Sequence, residues 1–337
     1  MRAHTISPDR LVELGSAYRR AKVLLSAVEL DLFSVLAKGP LDAEALALSL
    51  HVHSRGARDF FDTLVALGLL VRESDGRYAN VPDCDLYLNR DSESFLGGLF
   101  DQLNGHEYRM WATLTDTLRS GKPQNGGDAA DHFTTIYHEP RRFRAFVDAM
   151  TAGSLPSARC IADSFPWANY NSLCDIGTAQ GCLPVQVARA HPHIRALGFD
   201  LPELRPAFEQ YAASHNLGDR LKFSPGNFFH DPLPHADVLV FGRVLHNWDL
   251  QTKKMLLRKA FQSLSTGGAV IVYDMLIDDE RCRNAAGLLS SLNMLVWTSA
   301  GFGYSSANCI DWMREAGFNE MRIESLIAGQ SMVIGLK

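Results

Sequence analysis

Apolar positions along the chain follow two periods. In the amino-terminal third they recur every three or four residues; beyond residue 170, short continuous apolar runs alternate with helical stretches. Leu25, Val28, Leu32 and Leu36 predict one amphipathic helix ending at Gly39-Pro40. Asp42 is placed to cap a second helix through Leu50 and Ser54 a third through Leu67, where Gly68 supplies the stop. The third helix is expected to bury Phe60, Phe61 and Leu64. Leu69–Val71, the turn Ser74-Asp-Gly76 and Tyr78–Val81 predict a hairpin, so this segment reads as a winged helix. Residues 95–165 read as mostly helical, with Gly121–Gly127 as their clearest loop.

The remainder predicts a sheet. Strands are expected at Ser172–Ile176, Arg195–Phe199, Leu221–Ser224, Asp237–Gly242, Ala269–Asp274, Met321–Ser325 and Ser331–Leu336. Helices such as Leu183–Ala190 and Thr252–Leu264 separate them. This alternation predicts a doubly wound, Rossmann-like α/β domain preceded by a mostly helical winged-helix domain. The boundaries read as 1–95 for the winged helix, 96–165 for a helical linker and 166–337 for the sheet domain.

The first strand of that domain carries the chemistry. It ends at Asp175, and Gly177 and Gly181 then allow a tight turn into the next helix. The second strand ends in Asp200, 25 residues after Asp175. Strand, glycine loop, helix, strand and terminal acid form a βαβ unit suited to holding a nucleoside by its ribose hydroxyls. A dinucleotide fold wants G-x-G-x-x-G, with a pyrophosphate at the helix N-terminus. Here the order is G-x-A-x-G, with an acid two residues before the first glycine. An ionised Asp175 would repel pyrophosphate and suit the ammonium of an amino-acid tail. That favours S-adenosylmethionine (SAM) over NAD.

Composition narrows the class. With 337 residues, 46% of them apolar and 21% charged, the chain has ample material for two packed domains. A net charge of -5 gives no general attraction to nucleic acid or to anionic membrane. On the third helix, Asp59 and Asp62 offset Arg55 and Arg58, so no basic reading face is expected. The Ala- and Leu-rich surface of residues 15–50 suits dimerisation better. Six cysteines without C-x-x-C spacing, and the lack of a signal-like or membrane-spanning apolar run, lead us to expect a cytoplasmic protein with reduced thiols.

Several motifs, in order and spacing, carry a resemblance that covers nearly the whole chain. They are Asp175-Ile-Gly-Thr-Ala-Gln-Gly181, Gly198-Phe-Asp-Leu-Pro202, Gly226-Asn-Phe-Phe229, Arg243-Val-Leu-His-Asn-Trp-Asp249 and Gly267-Gly-Ala-Val-Ile-Val-Tyr-Asp274. With these motifs the chain resembles the two-domain SAM-dependent small-molecule O-methyltransferases, bacterial natural-product enzymes and their plant phenolic relatives. The resemblance implies that Asp200, with Leu201 beside it, holds the ribose and that Asn227 and Phe228 contact adenine. It places Arg243 near the cofactor and makes His246 the general base, with Asp274 orienting it. It also implies a homodimer. Three positions depart from the pattern. Ala179 replaces a usual glycine, Asn227 a common aspartate, and the second acid that plant enzymes place near their histidine has no clear match in Tyr304–Asn308.

The chemistry follows from these residues. His246 comes after the strand Asp237–Gly242, at the carboxyl edge where open α/β sheets bind ligands. Histidine has an unperturbed pKa of about 6.5 and can accept a proton at neutral pH. A phenol, with a pKa of about 10, becomes a good nucleophile only as it loses its proton. A positioned base contributes roughly 10²–10⁴-fold to such a step. Arg243, Asn247 and the Trp297-Thr298 pair around His246 make a poor divalent-metal site, so no metal is expected there. His51-x-His53 and His191-Pro-His193 lack completing ligands and read as surface loops. Asp278-Asp-Glu280 could attract a cation but reads first as a solvated loop. Trp111, Met150, Asn293, Met294 and Trp297 suggest a wall for a flat aromatic or otherwise apolar acceptor. The expectation is O-methylation of a small natural-product hydroxyl. Two readings stay open beside it: C-methylation of an α-keto acid or aromatic carbon, and a SAM-binding transcriptional regulator.

Overall fold

The computed structural model describes residues 6–92, 94–124, 140–327 and 329–337. The chain divides into two compact units, one ending at Arg109 and one beginning at Met110.

The first unit is a set of short helices around one apolar core. Helices α1 (Asp9–Ser16), α2 (Tyr18–Glu29), α3 (Leu32–Leu36), α4 (Ala43–Ser49) and α5 (Ser54–Ala66) precede the antiparallel pair β1 (Leu70–Arg72) and β2 (Tyr78–Asn80). The single helix expected through Leu36 is broken at Asp31, which is left-handed at φ 58°. The break keeps Leu25, Val28, Leu32 and Leu36 all buried, the last three packed with Phe33. Asp42 caps α4 by accepting from the Ala45 amide. For α5 the cap is His53 rather than Ser54: the His53 ring accepts from the Arg55 amide. Phe61 and Leu64 are buried as expected, while Phe60 is half-buried on the rim. Arg58 pairs with Asp62 at 3.7 Å, and the same carboxylate accepts from Tyr78 and meets Arg72. Helix α1 is different. It buries no residue, and Leu11, Val12 and Leu14 lie open beside Ile6 and Tyr18.

The second unit is a seven-stranded sheet. Its strands are β3 (Ser172–Ile176), β4 (Arg195–Asp200), β5 (Leu221–Pro225), β6 (Ala236–Gly242), β7 (Leu264–Asp274), β8 (Glu320–Ser325) and β9 (Ser331–Leu336), in the order β5-β4-β3-β6-β7-β9-β8. All pairings are parallel except those of β9. The central strands are covered on both faces and are therefore apolar throughout. Alternation still sorts their side chains. Val238 and Val240 pack with Trp167, Leu183 and Ile271 on one face, whereas Leu239 and Phe241 pack with Leu256, Val270 and Val272 on the other. Asp274 continues the Val270, Val272 series and so falls on that second face.

The site depends on two breaks in regularity. The chain order reverses between β3 and β6, which opens a crevice at the carboxyl ends of these strands. Gly177 and Gly181 adopt φ 74° and 88°, and a Cβ at Gly177 would lie 2.7 Å from a Val244 methyl. The expected loop Gly121–Gly127 begins at Gly121, which ends α8 (Leu114–Ser120) in a left-handed turn; Asn125–Gly127 lie outside the described residues. His191 and His193 are more than surface residues, because their rings engage the Ala162 and Trp167 carbonyls at 2.7 and 3.1 Å. All six cysteines are free thiols. Among the described residues, no helix is long and apolar enough to cross a membrane.

Candidate active site

Three strand ends make one half of the site. After β3, the loop Gly177–Gly181 passes beside the end of β4, where Asp200 accepts from the Ala179 and Leu201 amides at 2.8 Å each. Asp200 is thus fixed by two backbone donors, yet burial outweighs them and pushes its pKa up to about 6. Asp175 is buried and accepts from the Thr178 hydroxyl at 2.8 Å. The sequence reading took Asp175 as ionised. Burial, with Asp200 nearby, pushes it up to about 7, so at neutral pH the unliganded group is held near half-protonation. After β5, Asn227 builds a tight turn, its Oδ1 accepting from the Phe229 amide while its own amide donates to Asp231. Phe228 and Phe229 stack edgewise on Trp248.

The other half lies across the switch point. Arg243, at the end of β6, is left-handed at φ 56° and donates its amide to the Tyr273 carbonyl. Its guanidinium rests on Gly153 of α9 (Pro140–Ser164), where a Cβ would come within 2.7 Å. Ala179 is left-handed too, at φ 49°. Non-glycine residues in this region cost about 1–2 kcal/mol each, and both sit on loops lining the crevice.

His246 stands in the short 3-10 turn Leu245–Asn247 and is 8% exposed. Its Nδ1 lies 2.6 Å from Asp274 Oδ1. Burial pushes Asp274 upward, but the charge and hydrogen bond of His246, and then Arg243, outweigh it and hold the carboxyl below the usual range. An ionised carboxylate only accepts, so Nδ1 carries the proton and Nε2 is left as the acceptor. Asp274 Oδ1 also accepts from the Met275 amide, and Oδ2 accepts from the Tyr304 hydroxyl at 3.2 Å. Tyr304 was singled out in the sequence only for the acid missing around it. Among the described residues the histidine has one carboxylate partner, and a phenol fixes that partner from behind.

The residues expected to line the acceptor are brought together in part. Helix α13 (Ala285–Trp297) carries Asn293, Met294 and Trp297, and the Trp111 indole donates to Asn293 Oδ1 at 2.8 Å. Met294 is buried, and its carbonyl takes Thr298, whose hydroxyl in turn accepts from Gly301. That turn abuts the His246 carbonyl, because a Cβ at Gly301 would lie 2.7 Å from it. Met150 is half-buried on α9, one turn from Gly153. Among the described residues, the one group of three His, Cys, Asp or Glu side chains able to share an ion is Asp278, Glu280 and Cys282. Asp278 there accepts from three backbone amides of its own loop, which lower its pKa to about 2.

An acid fixed at the end of β4, a small-residue loop after β3 and the Phe228-Phe229 pair after β5, backed by Trp248, fit the ribose, amino-acid tail and adenine of SAM. With a buried histidine–carboxylate pair across the switch point, they define a SAM-dependent methyltransferase. The chain belongs to the O-methyltransferase family: it matches the O-methyltransferase domain over residues 111–319 and the O-methyltransferase dimerisation domain over residues 12–90. It is 40% identical over 337 residues to the tetracenomycin polyketide synthesis 8-O-methyl transferase TcmO of Streptomyces glaucescens, covering 99% of this chain and 98% of that one. It is 35% identical to the N,N-dimethyltransferase OxyT of Streptomyces rimosus, covering 97% and 96% of the two chains. Human N-acetylserotonin methyltransferase, solved in complex with SAM, superposes with a TM-score of 0.92 at 28% identity, covering 100% and 99%.

Proposed function

We propose that this enzyme methylates a phenolic hydroxyl of a polycyclic aromatic natural product, with His246 as general base. The observation that carries this reading is the 2.6 Å contact between His246 Nδ1 and Asp274 Oδ1, both nearly removed from solvent. SAM, when bound, supplies an electrophilic sulfonium methyl. Asp200 accepts from the ribose hydroxyls, Leu201, Asn227 and Phe228 surround the adenine, and Asp175, Gly177 and Gly181 face the amino-acid tail. Arg243 borders the same end. The acceptor lies between Trp111, Met150, Asn293, Met294 and Trp297, and its hydroxyl proton passes to His246 Nε2 as the oxygen gains the methyl. Asp274 stabilises the imidazolium so formed. Exclusion of water strengthens that interaction.

In this assignment residues 1–95 dimerise, 96–165 supply the helical part of the acceptor wall and 166–337 bind the cofactor. The enzyme works as a homodimer in the cytoplasm. The relative named for 8-O-methylation supports a hydroxyl acceptor, while OxyT keeps an amine in view. Mass spectrometry of products from polycyclic phenols and matched aryl amines, incubated with labelled SAM, separates oxygen, nitrogen and carbon methylation. His246→Ala is expected to lower kcat roughly 10²–10⁴-fold on the phenol while leaving S-adenosylhomocysteine (SAH) affinity intact. Undiminished turnover by that variant rejects the base assignment.

A further inference from the structure

Lys253 has no place in the chemistry so far. It lies on α12 (Leu250–Ser263) and is fully buried, among the largest side chains withdrawn from solvent. Among the described residues, no carboxylate lies within ion-pair distance of it. Its ammonium donates to the Trp248 carbonyl, which follows the turn carrying His246. The same nitrogen sits 3.4 Å from the centroid of Phe302 and 5.8 Å from that of Tyr304. An ammonium over an aromatic face is attracted by the ring quadrupole, more so when desolvated. One cation therefore ties the His246 turn to the loop that holds Tyr304 against Asp274.

We propose that Lys253 is a positioning residue for the proton transfer, a buried charge that clamps these two segments and biases the Asp274–His246 pair against premature protonation. The proposal rests on the assignment of His246 as base. The charges acting on Lys253 are Asp274 from β7 and Asp249 at the start of its own helix; Tyr304, from the loop before α14 (Ser306–Ala316), lies under its ammonium, and Asp274 in turn meets His246 from its turn, Arg243 from the end of β6 and Cys309 on α14. Burial pushes Lys253 down to about 7, against the pull of the Asp274 and Asp249 carboxylates. The cluster with a charged lysine is close to neutral before proton transfer and carries a net positive charge after it. Taking the cation away makes the histidine–aspartate pair hold a proton more tightly.

Lys253→Met keeps the length and removes both the charge and the donor. It is expected to lower kcat about tenfold, within the coupling range of groups in one network. It should also move the acid limb of the kcat/KM profile to higher pH, with SAH binding unchanged. Lys253→Gln retains a donor for Trp248; it should regain part of kcat and keep the displaced limb. It also decides the matter if Lys253→Met fails to fold. In the SAH-bound protein, the far-downfield resonance of the His246 Nδ1 proton reports the same displacement without an acceptor. A limb and a resonance that stay at wild-type pH values in both variants, whatever happens to kcat, overturn the proposal and leave Lys253 a packing residue. His246→Ala run alongside separates the two ideas. If it is inactive while the lysine variants behave as wild type, only the role of Lys253 falls; if it is active, the base assignment falls.

Discussion

Asp274→Asn isolates the charge behind the histidine. In the wild type, among the described residues, Asp274 Oδ1 takes two donors, His246 Nδ1 and the Met275 amide, while Oδ2 takes the Tyr304 hydroxyl. An asparagine at this position keeps its oxygen toward the two N–H groups and turns its NH₂ toward Tyr304, whose hydroxyl can accept. The ring keeps its tautomer, Nε2 stays the acceptor, and the negative charge is what is lost. A hydrogen bond to a charged group contributes about 1.5–3 kcal/mol and a neutral one about 0.5–1.5 kcal/mol. The difference, about 1–2 kcal/mol, predicts a loss in kcat of roughly 5- to 30-fold. SAH affinity, measured by calorimetry, should not change. Steady-state turnover of a phenolic acceptor is the assay. A loss as large as that of His246→Ala would mean that the amide had flipped and reversed the tautomer, refuting the donor count. No loss would mean that the carboxylate does not stabilise the imidazolium.

Three further outcomes are expected. Asp200→Ala should weaken SAM and SAH at least tenfold by calorimetry, because it removes the proposed ribose acceptor and leaves two half-buried amides without their carboxylate; since the free acid titrates at about 6, wild-type affinity should also decline as pH falls below that value. Asp175 has a folded pKa of about 7, raised above its unfolded value, so charging it opposes folding. The stability of Asp175→Asn relative to wild type should therefore increase from about pH 4 to pH 7 and then level off; a difference that is flat across that range, read by thermal unfolding without cofactor, contradicts the burial argument. Finally, Leu11→Glu with Leu14→Glu should turn a dimer into a monomer in sedimentation at micromolar concentration, because these residues are 72% and 73% exposed on a helix that buries nothing. A double variant that remains dimeric excludes α1 from the interface.

Much of the sheet domain was legible because strands buried on both faces read as plain apolar runs, and their ends fall where Asp175, Asp200 and Asp274 interrupt them. The helical unit was less so. Periodicity from Leu25 to Leu36 cannot reveal the left-handed kink at Asp31, since both the broken and the straight helix keep the same residues inside. A histidine ring capping α5 competes with Ser54 one position later, and serine has the stronger prior. Tyr304 could not be found by looking for a second acid, because a phenol does the job on the other carboxylate oxygen. Lys253 did carry a signal. It falls on the stripe Lys253, Leu256, Leu257, Ala260, at the spacing of a buried helix face, and a lysine on such a stripe asks for an explanation.

The reversal of chain order between β3 and β6 separates two kinds of work. Arg243 apart, residues proposed to grip the reagent hang from β3, β4 and β5, and those proposed to receive the proton hang from β6, β7 and the loop at Tyr304. The reagent is common to every reaction such a chain can run, whereas the acceptor changes from one product to the next. In the proposed assignment, replacing side chains around Trp111, Asn293 and Trp297 alters what is modified and leaves the supply of methyl groups untouched. A duplicated gene inherits a working donor end and has only the acceptor end to reinvent.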